Sequence, residues 1–220
     1  MFCRLIICSR TNYTIGVQDD RMDEQVKQLY DIWMLMTHYI KDLHLENIKK
    51  KYFRRAKLEC ASRDIPFDLQ KIRADILLQL RRISEVDGGQ DAELKKYIND
   101  FKGLYLNSNI SFSPSNVACA AEQIKLMYEA IFNDFTDFSI VVKAFEIEDY
   151  LKLSQFEGKE KGEKVKELRN ILIEKYASYS TLHPRVLQGK NLNRVYWSVI
   201  DIDNITEIEK SVINYLGLSP

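Results

Sequence analysis

Asp201 and Asp203 stand two residues apart near the C-terminal end of the chain. If their segment is a strand, the alternation of side chains puts both carboxylates on one face. Paired carboxylates of this kind can hold Mg²⁺ for phosphoryl or nucleotidyl transfer. That chemistry also needs a third carboxylate and an element that holds the phosphate, and neither is recognisable here. A strand-to-helix turn, with Asp203 or Asn204 capping the next helix, accounts for the same residues. Asp149, Glu157 and Lys159 have the residue types of the acid, acid and lysine set of metal-dependent nucleases, but their Glu-x-Lys falls in a Gly- and charge-rich stretch where a strand is required. His38 and His44 are six residues apart, about 240° around a helix, and do not share a metal-binding face. His183 precedes Pro184 and could serve as a general base, with no nucleophile recognisably placed beside it. The chain has no phosphate-binding loop, GxGxxG, GxSxG, HExxH or zinc knuckle. A non-enzymatic role is therefore favoured, and no cofactor is implied.

Binding chemistry is better represented. The segment Lys49-Lys50-Lys51-Tyr52-Phe53-Arg54-Arg55-Ala56-Lys57 concentrates six cations in nine residues of a chain whose 32 basic and 32 acidic side chains otherwise cancel. At about 100° per residue, Lys50, Lys51, Arg54, Arg55 and Lys57 form one cationic stripe. Tyr52, Phe53 and Ala56 fall on the opposite, core-facing side, and Lys49 falls among them. Such a stripe is the electrostatic footprint of phosphate binding, since each neutralised phosphate releases condensed counterions. The bias extends from Lys41 to Arg82, where twelve Lys and Arg face six Asp and Glu. An internal counterpart also exists. Glu129, Asp134, Asp137, Glu146, Glu148 and Asp149 lie in a stretch with Lys143 as its single cation. The stripe is thus a solvated or internally paired face, a nucleic-acid contact, or a surface for an acidic protein or lipid.

Composition bounds the class. At 220 residues, with 45% hydrophobic and 29% charged residues, the chain suits a globular fold with a sizeable core. Eight Gly and four Pro are too few for long linkers or many-turned β architectures. The apolar run Leu5-Ile6-Ile7-Cys8 is too brief for a signal peptide, and the apolar stretch from Leu29 to Leu45 is broken by Asp31, His38, Lys41, Asp42 and His44. A cytoplasmic protein with no membrane span is expected. Cys3, Cys8, Cys60 and Cys119 show no CxxC spacing, as free thiols in a reducing compartment would.

The elements that position these residues read mostly as helices. Residues 2–8 and 13–17 are short β-rich runs suited to a hairpin. A helix then carries Val26, Leu29, Trp33, Met36 and Ile40, and either continues to Ser62 or breaks between Lys41 and Asn47. Pro66 fits the first turn of a second helix, which Asp87-Gly88-Gly89 ends. A third helix carries Leu94, Ile98 and Phe101, and Ser113-Pro114 opens a fourth in cap-then-proline order. Ser139 to Val142 is strand-like by propensity, but the spacing of Phe138, Val141, Val142 and Phe145 favours a helix. Residues 158–164, GKEKGEK, read as a charged loop. A helix follows and stops before Pro184, residues 194–202 (RVYWSVIDI) read as a strand, and Asn204 to Gly217 as a closing helix. The expected fold is mainly α (α+β), six to eight helices around a small sheet built from the N-terminal run and residues 194–202. It forms one domain over 1–220, with 158–164 as the place for a subdivision. The expected function is that of a non-enzymatic interaction or accessory subunit of a larger cytoplasmic assembly, with a protein partner. Nucleic-acid binding through the basic helix is the first alternative. Metal-dependent phosphoryl transfer by Asp201 and Asp203 is the second.

Overall fold

A computed structural model describes residues 22–62, 64–89, 91–107 and 109–218. The chain divides into two compact units, Met1–Phe138 and Ser139–Pro220. The described residues hold ten helices and no strand, where the sequence predicts six to eight helices and a sheet. The hairpin expected from residues 2–8 and 13–17 lies outside the described residues.

The first unit contains α1 (Met22–Tyr39), α2 (Leu45–Ser62), α3 (Leu69–Ser84), α4 (Ala92–Tyr105) and α5 (Pro114–Phe132). A 3₁₀ turn over Ile40–Asp42 separates α1 from α2, so the chain breaks where the sequence allows it to. Asp68 caps α3 by accepting hydrogen bonds from the Gln70 and Lys71 amides; Pro66 therefore lies ahead of the helix and not in its first turn. Ser113 and Asn116 form a capping box at the start of α5, with Pro114 in the first turn. α5 is the organising element, and α1, α2 and α3 all pack on it. Val117, Ala118, Ala120, Ala121, Ile124, Met127 and Tyr128 are each fully buried, and the small side chains let neighbouring helices approach closely. A ring cluster of Tyr30, Trp33, Phe101 and Phe112 joins α1 and α4, with Tyr30 edge-on to Phe112 at 5.4 Å.

The second unit contains α6 (Ser139–Leu151), α7 (Gly158–Tyr176), the single turn α8 (Pro184–Leu187), α9 (Leu192–Val199) and α10 (Ile205–Leu216). Residues 158–164 are the opening turns of α7 and not a loop. Glu160 lies in the first turn, where it complements the helix dipole, and Lys159 pairs with Glu163 one turn on at 3.9 Å.

The strand expected over 194–202 is instead α9 with the turn that follows it. Asn191 accepts a hydrogen bond from the Arg194 amide and starts the helix. Val195, Tyr196, Trp197 and Val199 are all buried because α6 and α7 both pack against α9. Tyr196 and Trp197, which a strand would turn to opposite sides, are both enclosed in this core. Gly217, at φ 66°, closes α10 in the left-handed conformation that glycine adopts without strain.

Candidate anion-binding surface

α2 buries Leu45, Ile48, Tyr52, Ala56 and Cys60. Tyr52 sets its ring 5.8 Å from both Tyr128 and Phe132 of α5. Lys49, the cation on the apolar side, is half-buried and has a structural partner. Its Nζ donates to the carbonyls of Asn133 at 2.9 Å and Phe135 at 2.7 Å, just past the C-terminus of α5. Those carbonyls lie just beyond the negative end of the helix dipole, a region where an ammonium is favoured. With its aromatic face and Lys49 both committed to α5, the rotation of α2 about its axis is fixed.

The opposite face is therefore turned to solvent. Lys50, Lys51, Arg54, Arg55 and Lys57 are all exposed. They occupy an arc of about 160° and run about 10 Å along the helix. Arg55 pairs with Glu59, and the Lys57 ammonium lies 5.4 Å from the centroid of the Phe67 ring. Lys50, Lys51 and Arg54 have no ion pair among the described residues of the first unit. Two apolar side chains lie with these cations. Leu58 is 54% exposed and falls within the cationic arc, and Phe67 is 37% exposed. The turn after α2 explains where Phe67 sits. Asp64 takes a left-handed φ of 56°, the Ile65 amide closes onto the Cys60 carbonyl at 2.9 Å, and the reversed chain brings Phe67 back to Lys57. The basic segment was plain in the sequence, whereas Leu58 and Phe67 were not. Their only signal is an apolar residue at an outward position and an aromatic residue just beyond the helix.

Three further arginines of the basic region are paired with carboxylates. Arg73 binds Glu129 at 2.6 Å, Arg82 binds Asp91 at 2.6 Å, and Arg81 binds Glu85 at 3.2 Å. Glu129, the first acid of the candidate counterpart, is therefore held by α3 and by the Asn133 side chain. A shallow cleft of about 300 Å³ beside Leu78, Arg81, Arg82, Glu85 and Asp91 has its two arginines matched by two carboxylates, so it offers an anion little net attraction.

The carboxylate and histidine candidates are not assembled into sites. Asp201 and Asp203 lie in the turn between α9 and α10, where Asp201 Oδ1 accepts from the Asp203 amide at 3.5 Å and Asp203 is exposed. The strand that would have aligned them does not exist. Asn204 heads α10 without capping it through its side chain. It is instead fully buried, accepting from the Asp201 amide and donating to the Val199 carbonyl, both at 2.8 Å. Asp149 pairs with Lys152 at 2.6 Å, while Lys159 reaches into α7 to Glu163. His183 Nδ1 accepts from the Arg185 amide and starts α8, and His38 and His44 are exposed. No group of three or more His, Cys, Asp or Glu among the described residues is placed to hold a metal ion.

One polar cluster sits inside the second unit. Trp197 Nε1 donates to Glu148 at 2.8 Å, Asn193 adds a second hydrogen bond to that carboxylate, and the Tyr196 hydroxyl donates to the Ala144 carbonyl at 2.6 Å. Burial pushes the Glu148 carboxyl above its ordinary range, and these donors only partly offset it. The cluster clamps α6 to α9. Comparison with protein families, curated proteins and solved structures gives no match to this chain.

Proposed function

We propose that the protein is a non-catalytic binding component of a larger cytoplasmic assembly, and that the outward face of α2 is where an anionic partner docks. One observation carries this. Five exposed cations share an arc of one helix, and three of them have no ion pair among the described residues of their unit. Like charges held this close repel one another, and an incoming anion relieves that repulsion while releasing its own counterions. Lys49 separates structural from functional charge, because the one lysine of the run that faces inward is the one with backbone partners. Metal-dependent phosphoryl transfer has no comparable support, since Asp201 and Asp203 belong to a turn with no third ligand among the described residues. No helix among the described residues is long and apolar enough to cross a membrane.

The test is elution from a heparin column along a salt gradient, comparing the wild type with a Lys50→Glu/Lys51→Glu/Arg54→Glu variant whose folding is checked by circular dichroism. The wild type is expected to be retained and the variant to elute at much lower salt. Coincident elution of two folded proteins would show that the face is simply solvated.

A further inference from the structure

Building on α2 as the docking face, we infer that its partner is a single-stranded nucleic acid, with phosphates on the α2 cations and a base stacked on Phe67. Lys50, Arg54 and Lys57 follow one line along the helix, with rises of about 6 Å and about 4.5 Å between neighbours. Lys51 and Arg55 run beside them. A row of cations on a rod suits a polymer that carries one charge per repeat.

The second observation is chemical. Phe67 is an exposed ring at the end of that row, with the Lys57 ammonium over it. A cationic groove that tracks a backbone beside aromatic side chains that take bases is how proteins hold single strands. Phosphate contact draws the ammonium away from the ring and opens its face to a base. Paired bases inside a duplex have no face to offer, which is why the ring favours a single strand. Leu58, among the cations, adds apolar surface for a base or sugar edge. An anionic membrane fits less well. Surface-lying helices insert a continuous apolar face, and the apolar face of α2 is already packed against α5.

The test is fluorescence anisotropy across a salt series, using labelled oligo(dT), oligo(U) and a duplex DNA of the same length, with phosphatidylserine vesicles assayed by co-sedimentation. The proteins are the wild type, the triple Glu variant, Phe67→Ala and Phe67→Leu, each checked by circular dichroism. Phe67→Leu keeps the apolar bulk and removes the π face. The wild type should bind the single strands more tightly than the duplex. The triple variant should lose about 2 units of salt slope, at about 0.7 per phosphate contact on a single strand. Both Phe67 variants should bind single strands about 5- to 150-fold more weakly, the effect of losing one stacked base, with heparin retention unchanged. Tighter binding to duplex, binding to vesicles without binding to oligonucleotides, or unaltered affinity in both Phe67 variants would overturn the single-strand assignment while leaving the docking face standing. If heparin retention also fails to depend on the three cations, the docking face falls with it.

Discussion

Lys49 and Phe135, 86 residues apart in sequence, are joined by a hydrogen bond of 2.7 Å from Nζ to the main-chain carbonyl. The same ammonium also reaches the Asn133 carbonyl at 2.9 Å. Hydrogen bonds from a charged donor contribute about 1.5–3 kcal/mol when partly withdrawn from water. Lys49→Met should therefore destabilise the first unit by roughly that amount. Lys50→Met, one residue away and exposed, should stay within about 0.5 kcal/mol of wild type. Urea unfolding of the two variants makes the comparison, and equal midpoints would show that the carbonyl contacts contribute nothing.

Tyr52 and Tyr128 meet at 5.8 Å in the interface of α2 with α5, and neither hydroxyl has a hydrogen-bond partner among the described residues. Burial raises both phenol pKa values well above their ordinary range, so both groups stay neutral. A buried hydroxyl without a partner costs stability, where a bonded one contributes about 1 kcal/mol. Tyr52→Phe and Tyr128→Phe should each be neutral or stabilising by about 1 kcal/mol. A loss of that size in either variant, measured by chemical denaturation, would mean that its hydroxyl is bonded.

The clamp between Glu148 and Trp197 predicts a pH dependence with a definite sign. Folding raises the Glu148 pKa above its usual 4.5, chiefly by burial. The native state therefore holds that proton more tightly than the unfolded chain, and the stability contributed by the protonated carboxyl is lost as pH rises through the raised value. Glu148→Gln has no proton to lose. Relative to wild type it should gain stability over a window that opens in the ordinary glutamate range and extends upward through the raised value. Thermal denaturation of both proteins across that window provides the measurement, and a constant difference would rule out the shift.

The turn between α9 and α10 separates two adjacent side chains by role. Asn204 is fully buried and bridges the Asp201 amide and the Val199 carbonyl, whereas Asp203 is exposed. Asn204→Ala removes the hydrogen bonds to the part-buried Asp201 amide and the buried Val199 carbonyl and should cost about 1–3 kcal/mol, while Asp203→Ala should cost less than about 0.5. Mg²⁺ or Mn²⁺ should not move the melting temperature of the wild type. A shift abolished by Asp203→Asn would revive a metal site at this turn.

The cationic face of α2 was legible in the sequence and the deeply buried helix α9 was not. Lys50 to Lys57 sort onto one face because the core of α2 is one-sided, so helical spacing alone assigns each residue its direction. The same logic located α4, α5 and α10. It failed at residues 194–202 because α9 is enclosed on nearly every side. Its polar residues Arg194 and Ser198 are buried with the apolar ones, the helix is only eight residues long, and the β-branched and aromatic side chains of Val195, Tyr196, Trp197 and Val199 mimic a strand. The Asn191 cap was the one local mark of a helix. At 158–164 two glycines suggested a loop, yet Glu160 and the Lys159 to Glu163 pair favour a helix there. The partners of Lys49 and Asn204 are backbone groups, which side-chain patterning does not encode.

α5 gathers α1, α2 and α3 around itself, yet it is the last of the five described helices of its unit to be synthesised. While the ribosome is still adding residues 114–132, the three earlier helices are already out or emerging with the faces meant for α5 uncovered. Leu45, Ile48, Tyr52 and Ala56 of α2 are among the residues left waiting. The nascent first unit cannot complete its core in the order in which it is made. Those faces stay uncovered until Phe132 clears the exit tunnel, and a pause in translation before that point would prolong their exposure to aggregation.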